Sequence, residues 1–228
     1  MNKTQFPSRM PGSTLWVCLL CSGSALAQSF VDHPFNSDGL YASQNDVEVD
    51  GYGNFATVYD NFAIAGGGAI KNVGWLGGYL NPGPPGSIAR WTVSVYADAA
   101  GTPGSPLLTA TVPGDGNESA TGQFAADLPV FEYSIQLPAA FVASPGQQYW
   151  LSVVPDQTYP PQWGWATGSG GDASSVQDYL GDRGTNGSDL AFTLAGVVVP
   201  EPSEYAALTG AAILGFALYR RSKTGGKA

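Results

Sequence analysis

Between Gln28 and Val198 the apolar positions come in short alternating runs broken by Gly, Pro, Asn and Asp, and no stretch keeps a helical period. Ala89-Arg-Trp-Thr-Val-Ser-Val-Tyr-Ala97 alternates most clearly, with Trp91, Val93 and Val95 on one face. Residues 55–64, 70–79, 149–154 and 190–195 read as four further strands, with weaker ones around 107–112, 130–137 and 162–166. Asp98 to Pro106 reads as a turn-rich loop. Strands spaced by turns over about 170 residues predict an all-β fold, a two-sheet antiparallel β-sandwich of jelly-roll-like type.

The two ends break this pattern. Lys3 and Arg9 precede the apolar run Leu15–Cys21, and Ala25 and Ala27 then supply the small residues that a signal peptidase pocket requires. Cleavage after Ala27 would leave a chain starting at Gln28. At the other end, Val199-Pro-Glu-Pro-Ser203 is expected to be extended, because proline disfavours helix at and before itself. Tyr205 to Tyr219 follows without a charge, about 22 Å as a helix, slightly short of a ~30 Å hydrocarbon core. Arg220, Arg221 and Lys223 then act as a basic stop that holds the end on the cytoplasmic side. The chain thus divides into a signal peptide (1–27), a β-sandwich domain (28–196), a linker (197–204), a single transmembrane helix (205–219) and a basic tail (220–228).

Composition supports a packed body: 43 % of residues are hydrophobic and 12 % aromatic, enough for a core despite 31 glycines and 17 prolines. From Gln28 to Pro200 there are three basic residues, Lys71, Arg90 and Arg183, against sixteen acidic ones, a net charge of −13. Such a surface repels phosphate, so nucleic acid is excluded as a partner. Cys18 and Cys21, the only cysteines, fall in the signal segment, so the processed chain would have neither disulfide nor thiolate metal site.

The order Val199-Pro200-Glu201-Pro202, apolar span and Arg220-Arg221 cluster resembles the PEP-CTERM sorting signal of Gram-negative bacteria. The resemblance implies an exported protein processed by signal peptidase and by exosortase, a membrane cysteine protease. It also implies transient residence in the inner membrane, then a place at the cell surface or in a matrix of exopolysaccharide and biofilm. The body is similar to a recurrent exported sandwich of PEP-CTERM proteins. That likeness rests on Asp60-Asn-Phe62, Val73-Gly-Trp75, Gly78-Tyr79, Val95-Tyr-Ala-Asp98, Gly101-Thr-Pro-Gly104, Tyr149-Trp-Leu151, Trp163-Gly-Trp165 and Asp189-Leu-Ala-Phe192. It implies a fold and brings no established activity with it.

Candidate chemistry is sparse. His33, the sole histidine, lies near the expected new terminus and reads as solvated, which removes the base of any Ser-His-Asp triad. No catalytic residue is assigned. Asp46, Glu48 and Asp50 alternate and on a strand would share one face. Asp182, Asn186 and Asp189 offer oxygen ligands in a Gly-rich loop loosely suited to a structural Ca²⁺, although the calcium-loop pattern is incomplete and a solvated loop is the alternative. No other cofactor is expected. Tyr159, Trp163 and Trp165 could stack on sugar rings, or the tryptophans could fill the core. The function expected is a non-enzymatic surface or matrix protein associated with exopolysaccharide. The alternatives are a carbohydrate-binding module with an aromatic sugar site and a secreted hydrolase.

Overall fold

A computed structural model describes residues 28–81, 85–198 and 202–224. Ala25 and Ala27 of the expected cleavage site, and Val199, Pro200 and Glu201 of the sorting motif, lie outside the described residues. The strands in chain order begin with β1 (Gln28–His33), β2 (Phe35–Ala42), β3 (Gln44–Asp46), β4 (Gly53–Ala63) and β5 (Gly68–Tyr79). They continue with β6 (Arg90–Asp98), β7 (Pro103–Pro113), β8 (Ser119–Ala125), β9 (Leu128–Ala143) and β10 (Gln148–Gln157). The last are β11 (Trp163–Gly168), β12 (Ser175–Tyr179), β13 (Asp182–Asn186), β14 (Asp189–Leu190) and β15 (Phe192–Val197). One helix, α1 (Pro202–Thr224), follows.

The strands form two sheets, as the alternation predicts. In the eight-stranded sheet β15 and then β11 pair along β5, β9 also pairs with β5, and β1 closes on β15. The seven-stranded sheet runs β13-β12-β4-β3-β10-β6-β7, with β4 also bonded directly to β10. Every pairing is antiparallel except β3 on β10, which is parallel at Asn45 opposite Asp156 and Asp46 opposite Gln157. Six strands have no apolar alternation to announce them: β1, β2, β3, β8, β12 and β13. The Asp98–Pro106 loop shrinks to a turn, because β7 already starts at Pro103 and pairs with Asp98. The sandwich runs to Val197, one residue beyond the expected boundary.

Period two sorts the side chains. On β6, Trp91, Val93 and Val95 enter the core while Thr92, Ser94 and Tyr96 face out. On β10, Leu151 and Val153 enter while Ser152 and Val154 face out. The centre of the core is aromatic. Trp91 from one sheet meets Trp75 and Trp163 from the other, with ring centroids 4.7 and 4.9 Å apart, both edge-on. Edge-on aromatic pairs add about 0.5–1.5 kcal/mol each beyond their buried area. The Trp163 indole N–H donates to the Tyr133 hydroxyl at 3.2 Å, and Tyr133 donates in turn to Glu118 at 2.8 Å. Gly77 makes room for this ring: a Cβ there would collide with Trp163 and with the Gly164 carbonyl.

The tail is helical over a longer span than expected, so residues 202–204 of the anticipated linker belong to α1. Pro202 sits at its first position, where a missing N–H costs nothing, and Arg220 and Arg221 complement the dipole of its last turns. Among the described residues no helix is long and apolar enough to cross a membrane. The physical reason is visible in the composition: the uncharged stretch is short and includes Gly210 and Gly215, while Pro-Ser-Glu and Arg-Arg-Ser-Lys-Thr make up the rest. Positions 209–221 are exposed, Ile213, Leu214, Phe216 and Leu218 among them.

Candidate functional site

The outer face of the seven-stranded sheet carries a polar furrow. Its floor is built by register: Ser152 of β10 lies opposite Ser94 of β6 on one side and Tyr59 of β4 on the other. Beyond β4, Asp178 of β12 stands opposite Thr57 and also opposite Arg183 of β13. A cavity of about 220 Å³ lies over Thr57, Tyr59, Ser94, Tyr96, Ser152 and Asp156. A second, of about 380 Å³, shares Asn54, Thr57 and Tyr59 with it and extends to Asp178 and Arg183. Thr57, Tyr59, Ser94, Ser152 and Asp156 are each less than a tenth exposed, so the polar groups are sunk in the furrow rather than scattered on a surface.

The furrow's charges are paired. Arg90 bonds Asp156 at one place, and Arg183 grips Asp178 with two N–H donors at 2.6 and 2.7 Å at the other. The arginine holds the Asp178 carboxyl below the usual carboxylate range. Burial, with the neighbouring Tyr96 and Asp178, pushes the Tyr59 hydroxyl far above its ordinary value, so it stays protonated and donates to Asp178 at 3.1 Å. The chemistry on offer is therefore neutral hydroxyls and amides.

At the β4 end the furrow opens into an aromatic pocket of about 150 Å³ formed by Tyr52, Phe55, Tyr159, Tyr179 and Leu180. Tyr52 meets Phe55 and Tyr159 edge-on at 5.8 and 5.6 Å and is itself 66 % exposed. The pocket is organised by Asp46. Its carboxylate accepts the backbone N–H of Tyr52 at 2.8 Å and of Tyr159 at 3.1 Å, as well as that of Glu48 at 3.2 Å. Burial raises this carboxyl, but the three N–H donors outweigh it and the net shift is downward. Asp46, Glu48 and Asp50 thus do not share a strand face. Asp46 ends β3 and turns inward, while Glu48 and Asp50 lie in the exposed turn it caps.

A family model described as "Domain of unknown function (DUF7901)" matches residues 30–186. The chain belongs to this family. The DUF7901 match spans β1 to β13 and includes every residue of the furrow and of the aromatic pocket. A search of curated proteins finds no match.

Within the DUF7901 domain the sequence-predicted site residues separate. Trp163 and Trp165 do share a strand face, but it is the inner one, and both are fully buried. Trp165 donates its indole N–H to the Ala191 carbonyl at 2.9 Å. Neither can stack on a sugar; the core reading of the tryptophans is the one the structure adopts. Tyr159 alone of the three reaches a surface pocket. The proposed Ca²⁺ ligands also part. Asp182 and Asn186 stand at opposite ends of β13, about 13 Å apart at 3.3 Å per residue, paired with Tyr179 and Ser175. Asp189 is buried elsewhere and accepts the backbone N–H of Gly171 at 2.8 Å and of Ala173 at 2.7 Å. Residues that read as one loop are a strand of a hairpin followed by a separate buried acid.

His33 is a second correction. Instead of being solvated it is buried on β1, which β15 pins in register with His33 opposite Phe192. Its Nδ1 donates to Asp60 at 3.3 Å, and its ring lies 4.5 Å from that of Phe192. His33, Asp60 and Asp189 bring their potential ligand atoms within 4.8 Å of one another. Every carboxylate oxygen in the set already accepts an N–H: Asp60 takes Asn61, Leu190 and His33, and Asp189 takes Gly171 and Ala173. The set is a hydrogen-bonded brace tying β1, β4, β14 and the loop after β11.

Burial pushes the His33 imidazole down, but the Asp60 hydrogen bond and the charges of Asp60, Asp189 and Asp172 outweigh it, and its pKa rises above the usual value. A raised folded-state pKa stabilises the fold below the unfolded value, about 6.5, and the contribution is lost as pH rises through the folded pKa. Burial raises the Asp60 carboxyl as well, with the same sign. Asp46 and Asp178 are lowered, so their contribution is present above the ordinary carboxylate value and is lost as pH falls through their folded pKa. Thermal midpoints measured across pH should therefore peak between the carboxylate and histidine ranges. His33→Gln should flatten the alkaline limb; an identical alkaline limb would exclude His33 as its cause.

Proposed function

We propose that this is a non-enzymatic exported protein of the cell surface or extracellular matrix, delivered through a PEP-CTERM signal and associated with exopolysaccharide. One observation carries the reading: the order of Val199-Pro200-Glu201-Pro202, an apolar helix and Arg220-Arg221 at the end of the chain. The signal peptide, cleaved after Ala27, delivers Gln28 to the far side of the membrane. The tail helix is not long and apolar enough to cross a membrane by itself, which leaves it at most a short-lived anchor that exosortase removes. Strands distant in sequence that lie side by side, β1 on β15 and β12 on β4, support a jelly-roll-like type for the sandwich.

In a strain with exosortase the protein should be recovered from the surface or medium, starting at Gln28 and lacking the mass of α1. In an exosortase-deficient strain it should stay in the membrane fraction with its tail intact. The same mass and fraction in both strains would defeat the sorting reading.

A further inference from the structure

We propose that the furrow on the outer face of the seven-stranded sheet, running from the Tyr52–Tyr159 pocket past Asn54 and Tyr59 to Tyr96, binds a single strand of uncharged polysaccharide. This deepens the polysaccharide association proposed above by giving it a site and a ligand class.

Four features converge on that occupant. First, the three cavities adjoin, since Phe55 lines both the aromatic pocket and the middle cavity, and Asn54, Thr57 and Tyr59 line both the middle and far ones. The run from β6 across β10, β4 and β12 to β13 crosses four strand spacings, about 19 Å, which is the reach of a polymer rather than a small metabolite. Second, the polar groups are Asn, Thr, Ser and Tyr. The Thr57, Tyr59 and Ser94 hydroxyls donate to Asn54, Asp178 and Thr109 and keep acceptor lone pairs for a sugar's hydroxyls, and in a floor less than a tenth exposed such bonds are shielded from competing water.

Third, the exposed aromatic faces lie at one end. Tyr52 is held upright by Phe55 and Tyr159, and Asp46 locks the backbone of both tyrosines. An apolar ring with a polar rim is what the C–H face of a pyranose stacks upon. Fourth, the charge is cancelled where the chain would lie. Two of the three basic residues in a body of net charge −13 are placed here, each on an aspartate of the furrow. Acidic polymers are repelled by the surrounding surface and find no free arginine in these pairs. A neutral chain meets neither obstacle.

The test uses purified full-length protein in mild detergent and isothermal titration against hexasaccharides of β-1,4-glucose, β-1,3-glucose, α-1,4-glucose and β-1,4-mannose, with oligogalacturonate as the acidic arm. At least one neutral hexasaccharide should bind, and oligogalacturonate should not. Tyr52→Ala and Asn54→Ala change exposed side chains, so both variants should stay folded, with thermal midpoints lowered only modestly by the lost Phe55 and Tyr159 ring contacts or the lost Thr57 hydrogen bond, while affinity falls by roughly tenfold each, the loss of one stacked or hydrogen-bonded contact. Thr92→Arg, which fills the far end of the furrow, should weaken the hexasaccharide as well. Ser134→Ala on the other sheet should bind as wild type. Failure of every neutral hexasaccharide to bind overturns the proposal. So does preference for the acidic oligomer, or binding that the furrow variants leave unchanged. Fractionation by exosortase dependence reads the sorting proposal separately, so either can fail alone.

Discussion

Trp163→Ala should lower the unfolding free energy by about 3–5 kcal/mol, the range for deleting a buried aromatic whose cavity cannot collapse. The site cannot close easily because the ring is held from several sides. Trp91 meets it edge-on at 4.9 Å, Tyr133 edge-on at 5.8 Å, and β5 approaches through Gly77, where there is no side chain to swing in. Domains of this size are stable by about 5–15 kcal/mol, so the loss is a large fraction of the total. Urea unfolding at constant slope would read it as a shift in midpoint. Neutral-oligosaccharide binding by the remaining folded protein should be unchanged, since Trp163 lies on the inner face. A selective loss of sugar affinity with full stability would put Trp163 back at a binding surface.

Asp60→Ala should cost a similar amount, about 3–5 kcal/mol, by breaking a buried charged pair from one side. The N–H groups of Asn61 and Leu190 and the Nδ1 of His33 would lose the buried carboxylate that accepts from them. Asp60→Asn keeps the shape and should cost less. It should also lower the His33 pKa, because the largest upward influences on that imidazole come from Asp60. The chain has one histidine, so a single ring signal followed by NMR through a pH titration reports it directly. A His33 pKa equal to that of the wild type would show that the pair does not set it.

How legible all this was in the chain depended on whether one face of an element is uniformly apolar. β6 announced itself by alternation, because one of its faces is wholly apolar, and β4, β5 and β10 by short runs dense in apolar residues, since most of their positions are buried. Ser-Val-Gln-Asp-Tyr of β12 and Asp-Arg-Gly-Thr-Asn of β13 did not, since a short hairpin at a sheet edge buries little and its residues look like loop. His33 was misleading for a related reason. Closeness to an expected new terminus suggests freedom, yet β15, which lies some 160 residues away, fastens β1 in place.

The sequence by itself determined the all-β class, the pairing of Trp163 with Trp165 on one face, the scarcity of basic charge in the body and the three-part order of the tail. These are local facts, carried by neighbours two to twenty residues apart. Which face Trp163 and Trp165 occupy was left to the tertiary structure, because period two says that residues share a side and never which side is covered. The furrow is likewise a product of the fold: Asn54, Tyr96, Ser152 and Arg183 come from β4, β6, β10 and β13, and only strand register brings them together. Hydroxyls and amides scattered along a chain carry no spacing of their own. They become a site when non-local hydrogen bonds set them side by side over a buried core.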